Sequence, residues 1–133
     1  MDTRGYKIIL ASGSPRREKF FEEMEIAFSK KVLSIDENFP DVLKGVEIAQ
    51  YIAKQKAEPF KAIIKKDEII ITADTIVWNK NKYLGKPKNR EEATQILQSL
   101  SDNTHQVITA VGFLQKNKWD CIHEISEVTF GSL

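Results

Sequence analysis

Apolar positions along the chain change their spacing several times, and each change marks an element. Tyr6-Lys7-Ile8-Ile9-Leu10 is a short, β-branched apolar run that predicts a strand. Ser12, Gly13 and Ser14 break it. Behind Pro15, Phe20, Phe21 and Met24 recur at helical spacing. Ser14 suits an N-cap, and Pro15 suits the first helical position, where a missing N–H costs nothing. A second strand is expected over 27–33, then a loop to Pro40. From Gly45 to about Lys61, Ile48, Ala49, Ile52, Ala53 and Ala57 share one helical face, and Pro59 should end or kink that helix. Glu68 to Thr75 carries three consecutive isoleucines, as in a strand buried on both faces.

Ile76-Val77-Trp78 and Lys82-Tyr83-Leu84 flank Asn79-Lys80-Asn81, a hairpin pattern. Asn89 can cap a following helix, with Glu92 reaching back, and Ala93, Ile96, Leu97 and Leu100 supply its apolar face. Ser101-Asp102-Asn103 closes it. Residues 105–114 and 119–130 read as two strands around Lys116-Asn117-Lys118. Strands and helices alternate early and strands pair late. The expected fold is therefore α/β, a mixed twisted sheet with flanking helices.

With 133 residues, one domain over 1–133 can bury a real core. Twenty Lys and Arg against nineteen Asp and Glu argue against a general nucleic-acid surface, which needs a basic excess. Cys121 is alone, so no disulfide framework or cysteine-based zinc cluster is expected, and a reducing, cytoplasmic setting fits. No apolar run spans a bilayer and the N-terminus lacks a signal-peptide pattern, so no membrane partner is expected.

Candidate chemistry starts at Ser12-Gly13-Ser14-Pro15-Arg16-Arg17. A helix N-terminus is already partly positive, so two arginines in its first turn work against it. A bound anion reverses that cost, and phosphate suits both the N–H groups and the guanidinium forks. Two solvated arginines would be the plainer account; the coincidence of cap, small-residue turn and paired arginines favours the anion. Asp74, read as ending the isoleucine strand, could hold a divalent metal or orient a water. It could equally close the strand as an Asx turn. Lys86 after Gly85 suits a phosphate or a solvated turn, without the spacing of a Walker loop. Lys54 and Lys56 stand two apart on a helix, so at most one points inward, and Lys56 adjoins the packed Ala57. Asp36 and Glu37 offer further carboxylates in a polar loop. His105 reads as structural or hydrogen-bonding, Cys121 as a small core residue, and neither His105 nor His123 has metal-ligand company in sequence.

Taken in order, Leu10 to Arg17, Ile35-Asp36-Glu37, Ala53-Lys54-Gln55-Lys56-Ala57, Ala73-Asp74-Thr75, Gly85-Lys86-Pro87, His105 to Thr109 and Glu127 to Phe130 resemble the Maf family of nucleoside triphosphate pyrophosphatases. Ala-Asp-Thr and the paired arginines resemble the branch acting on dTTP and UTP rather than the one acting on 7-methyl-GTP. The resemblance implies an inosine triphosphatase-like fold, often dimeric. It implies hydrolysis of dTTP, UTP or a modified pyrimidine triphosphate at the α–β phosphoanhydride, giving the monophosphate and pyrophosphate, with Mg²⁺ or Mn²⁺. Asp74 would be the proton acceptor, with Glu37 beside it as a metal ligand. Ser12, Ser14, Arg16, Arg17, Glu37, Lys56, Thr75 and Lys86 would bind substrate, Arg16 and Thr75 at positions linked to substrate choice. Family members usually continue into a second lobe carrying a further specificity glutamine, so the expectation is a chain lacking the C-terminal part of the family fold. That motivates a second reading, a non-catalytic nucleotide-binding or regulatory module linked to septum formation.

Overall fold

The computed structural model of the chain describes residues 5–12, 14–33, 35, 38–80, 82–85, 89–101 and 104–129. Six strands form one mixed sheet: β1 (Lys7–Leu10), β2 (Phe28–Lys30), β3 (Glu68–Asn79), β4 (Lys82–Leu84), β5 (Thr104–Gln115) and β6 (Lys118–Thr129). Their order is β2-β1-β3-β5-β6, with β4 pairing β3 at its far end. β1 runs parallel to β2 and β3, and the remaining pairings are antiparallel. Helix α1 (Pro15–Glu23) follows β1, α2 (Val46–Ala57) follows β2, and α3 (Arg90–Leu100) joins β4 to β5. Among the described residues no helix is long and apolar enough to cross a membrane.

α2 forms the centre of the core. Its Ile48, Ala49, Ile52, Ala53 and Ala57 are all buried, as their spacing predicts. They meet the face of the sheet that carries Ile76, Ile108 and Ala110. The helix ends at Ala57, and Pro59 sits inside the 3-10 turn Glu58–Phe60 that follows. Phe60 and Ile64 then cover Ile70 and Leu114, a second apolar cluster on the same sheet. Gly45, at φ +53°, makes the sharp entry into α2 that few other residues adopt easily.

Several elements depart from the local pattern. The isoleucine strand and the first hairpin strand are one strand of twelve residues, β3. Thr75, Ile76, Val77 and Trp78 all favour extended structure, no breaker separates them from Ile71, and β5 offers a pairing partner from Ile70 to Trp78. Asp74 consequently stands mid-strand rather than at a strand end. Only Ile70 of the three isoleucines is fully buried; Ile69 and Ile71 are partly exposed. β2 is shorter than expected. α1 buries no residue, and Phe20 and Met24 remain exposed. Its apolar contact is local, Phe21 edge-on to Phe28 at 5.6 Å between ring centroids. Ser14 occupies the N-cap of α1 without a side-chain cap bond; its N–H instead donates to Ser12 Oγ at 3.1 Å. α3 is capped as expected, Glu92 N–H donating to Asn89 Oδ1 at 2.8 Å. Of its apolar face only Leu100 is buried.

Gly112 lies opposite Cys121 on β6, and a Cβ there would collide with the Trp119 indole. That ring packs on the second apolar cluster, so it cannot simply swing away. Gly112→Ala is expected to cost about 1–3 kcal/mol, read as a lowered unfolding midpoint. An unchanged midpoint would show that the indole yields freely.

Candidate functional site

The site follows from how β3 is shared. β1 pairs with it only from Glu68 to Ile71, and β4 only from Val77 to Asn79. Among the described residues, 72–76 have no strand on that side. This gap lies beyond the carboxyl end of the parallel β1, where α/β sheets hold ligands. Ala11 N–H donates to Ile71 O at 2.9 Å and closes the pairing just before the gap.

Side chains alternate across β3. Thr72, Asp74 and Ile76 face α2; Ala73, Thr75 and Val77 face away. The buried Thr72 hydroxyl donates to Ala53 O of α2 at 2.8 Å, tying helix to strand one turn before Lys56. Lys56 then reaches the gap, where its Nζ donates to Ala73 O at 3.0 Å and to Asp74 Oδ1 at 3.4 Å. Both side chains of this ion pair are largely buried, Lys56 at 24% and Asp74 at 12% exposure, so water screens it less than a surface pair. Lys54, two residues away, is exposed.

From the other face, Arg17 of α1 spans the gap's edge. Its Nη1 donates to Ser12 Oγ and its Nη2 to Thr75 Oγ1, each at 3.2 Å. Burial pushes the guanidinium below its ordinary value, while the Asp74 charge pulls it back up. Thr75 Oγ1 lies 3.0 Å from Thr109 Oγ1, its direct partner across β5. Arg16 is exposed and does not line the cleft. Ser14 reaches this cluster only through its N–H to Ser12. Glu37 and Lys86, together with Asp36, lie outside the described residues.

Arg17, Lys56, Asp74 and Thr75 form the polar end of a cleft of about 740 Å³, a size suited to a small-molecule ligand. Its other end is apolar, walled by Ile52, Ile76, Tyr83, Ile96 and Leu97. The half-exposed face of α3 thus lines a cleft instead of filling a core. Tyr83 is held edge-on by Phe39, with 5.0 Å between centroids. Asp74 is the only carboxylate lining the cleft among the described residues, and no cluster of three or more His, Cys, Asp or Glu stands ready for a metal there. His105 is buried, and the partly buried Cys121, whose thiol burial pushes up, packs against the α2 cluster. The arrangement can bind an anion with two cations and hydroxyl groups, and it offers one carboxylate as a base. Thr109 and Tyr83 carry no local signal of a role; only the strand register and the β3–β4 hairpin bring them in.

The chain is similar to several sequenced relatives. It is 47% identical over 128 residues to a dTTP/UTP pyrophosphatase of Flavobacterium johnsoniae, covering 96% of this chain and 66% of that protein. Against the dTTP/UTP pyrophosphatase of Flavobacterium psychrophilum it is 48% identical, covering 96% and 65%. The chain thus spans just under two thirds of these relatives' length. Among solved structures, the Ham1 protein of Staphylococcus aureus superposes with a TM-score of 0.65 at 14% identity, over 91% of this chain and 70% of that one. A nucleoside-triphosphatase, dITP/XTP pyrophosphatase, of Mycobacterium abscessus gives 0.50 at 12% identity, over 92% and 72%. These two likenesses establish a shared inosine triphosphatase-like α/β fold. The family profile described as "Maf-like protein" matches residues 7–133, and the chain belongs to that family.

Proposed function

We propose that the chain is a nucleoside triphosphate pyrophosphatase acting on dTTP, UTP or a modified pyrimidine triphosphate, in which this site binds the triphosphate and accepts the proton. The observation that carries this reading is the convergence of Lys56 and Arg17, from two helices, on Asp74 in the gap that β1 and β4 leave along β3 among the described residues. The names of the relatives support the substrate class. In this reading Arg17, Lys56 and the Ser12 and Thr75 hydroxyls hold the phosphates at the polar end, Lys86 and Arg16 add charge, and Ser14 holds the Ser12 turn. Asp74 takes a proton from a water that attacks the α-phosphorus. The bond to the bridging oxygen breaks, pyrophosphate leaves and the monophosphate remains. Positioning and electrostatics carry most of such a reaction.

A single carboxylate beside bound phosphates fits a divalent ion of the Mg²⁺ or Mn²⁺ type, which takes one or two carboxylates and completes its shell with phosphate oxygens and water. Asp74 would hold it, with Glu37 as the second ligand, and the ion would neutralise phosphate charge. A cytoplasmic setting and a homodimer complete the proposal.

Incubation with dTTP or UTP and Mn²⁺ should give monophosphate and pyrophosphate in equal amounts, followed by anion-exchange chromatography. Release of orthophosphate with the diphosphate would overturn the assigned bond. Tight dTTP binding without any product would overturn catalysis in favour of the non-catalytic module.

A further inference from the structure

Thr109 ends a hydrogen-bonded chain that begins at Arg17 and crosses three elements. Arg17 Nη2 donates to Thr75 Oγ1 at 3.2 Å, and Thr75 Oγ1 lies 3.0 Å from Thr109 Oγ1. A guanidinium can only donate. Thr75 Oγ1 therefore accepts from Arg17, and its second bond, to Thr109, can run in either direction, since a hydroxyl has one proton and two lone pairs. The two threonines are directly opposed in the β3–β5 ladder, whose pairing from Ile70 to Trp78 fixes their spacing. Threonine χ1 has three staggered wells, and the oxygen that receives Arg17 is presented in one of them.

We infer that Thr109 is a positioning residue for Arg17. Through its hydroxyl–hydroxyl bond it holds the Thr75 oxygen in the orientation that receives the guanidinium. It thereby sets where the Arg17 charge stands beside Asp74. Ser12 anchors the other nitrogen of the same fork at 3.2 Å, so the guanidinium plane is held at two points from two elements. A valine at 109 keeps the shape and removes the hydroxyl partner. The fork then keeps its Ser12 anchor, and its Thr75 anchor is free to turn. The consequence for substrate rests on the triphosphate reading; the consequence for Arg17 does not.

The test compares Thr109→Val and Thr109→Ser in the whole chain by two measurements. Nitrogen and proton NMR of the Arg17 guanidinium, without ligand, reports its hydrogen bonding and the rate of rotation about its Cζ–Nε bond. Steady-state kinetics with dTTP and Mn²⁺ separates KM from kcat. Thr109→Val is expected to shift the Arg17 signal and speed its rotation several-fold, and to raise KM roughly three- to tenfold with kcat within about twofold. Thr109→Ser, which keeps the hydroxyl, should leave both at the parent values. An unchanged Arg17 signal in Thr109→Val overturns the assignment. So does a serine variant as perturbed as the valine, since packing would then be the cause. If the parent chain neither binds nor hydrolyses dTTP, the triphosphate reading fails by itself, and the guanidinium spectrum still decides Thr109.

Discussion

Asp74→Asn is expected to lower dTTP hydrolysis about 10²- to 10⁴-fold, the usual worth of a positioned general base. Triphosphate affinity should stay within a few-fold of the parent. The asymmetry follows from the geometry. Lys56 Nζ is held by Ala73 O at 3.0 Å as well as by Asp74 Oδ1 at 3.4 Å. An asparagine still offers a carbonyl oxygen to Lys56, so the ammonium keeps both acceptors. The substitution removes one negative charge from a cleft that must bind a polyanion, which favours binding, and it replaces a carboxylate ligand of the proposed divalent ion by a weaker amide oxygen, which opposes it; the two offset to within a few-fold. What disappears is the group that takes the proton. Asp74→Ala is a different experiment: it leaves Lys56 one acceptor short in a largely buried place and should also lower stability, by about 1–3 kcal/mol. Product formation and dTTP calorimetry on Asp74→Asn check the claim together. Turnover within tenfold of the parent would mean that another group accepts the proton.

The sequence carries some of this site openly and hides the rest, for physical reasons. The α2 face is legible because Ile48, Ala49, Ile52, Ala53 and Ala57 repeat at helical period with no competing pattern. From that face the choice of Lys56 over Lys54 follows, since residues two apart on a helix cannot point the same way. Asp74 is legible as a candidate, but its place in the fold is not. Ala-Asp-Thr looks like punctuation after three isoleucines, whereas β5 supplies a ladder long enough to carry the strand through it. The gap that makes Asp74 accessible comes from where β1 stops and β4 starts, and both are facts of pairing.

Arg16 and Arg17 show the limit of a local reading most directly. Neighbouring residues on a helix differ by about 100° in direction. Which of the two faces inward depends on how α1 is rotated against β3, and α1 has no buried residue whose spacing could reveal that rotation. Ser12 and Thr75 set it instead, through bonds five and 58 residues apart in sequence. Thr109 is hidden by the same logic, 34 residues from Thr75 and meaningful only in the observed register.

The difference between the two arginines has a large measurable consequence. Arg17 makes two charge-assisted bonds and is partly buried, so a phosphate meets its charge with less screening than at the open surface. Arg16 is exposed, and its attraction to a distant polyanion falls within about 10 Å at ordinary ionic strength. Arg17→Ala should therefore weaken dTTP binding about 10- to 150-fold, corresponding to about 1.5–3 kcal/mol for a bond to a charged group. Arg16→Ala should change it by less than about threefold. Arg17→Lys should recover only part of the loss, because an ammonium is a point charge and cannot fork between Ser12 and Thr75. Calorimetric titration at two salt concentrations reads all three variants. The Arg16→Ala loss, though small, should shrink further with salt, and the Arg17→Ala loss should persist. Equal losses at the two positions, or a lysine as good as the arginine, would mean that the fork seen beside Asp74 is not what holds the phosphates.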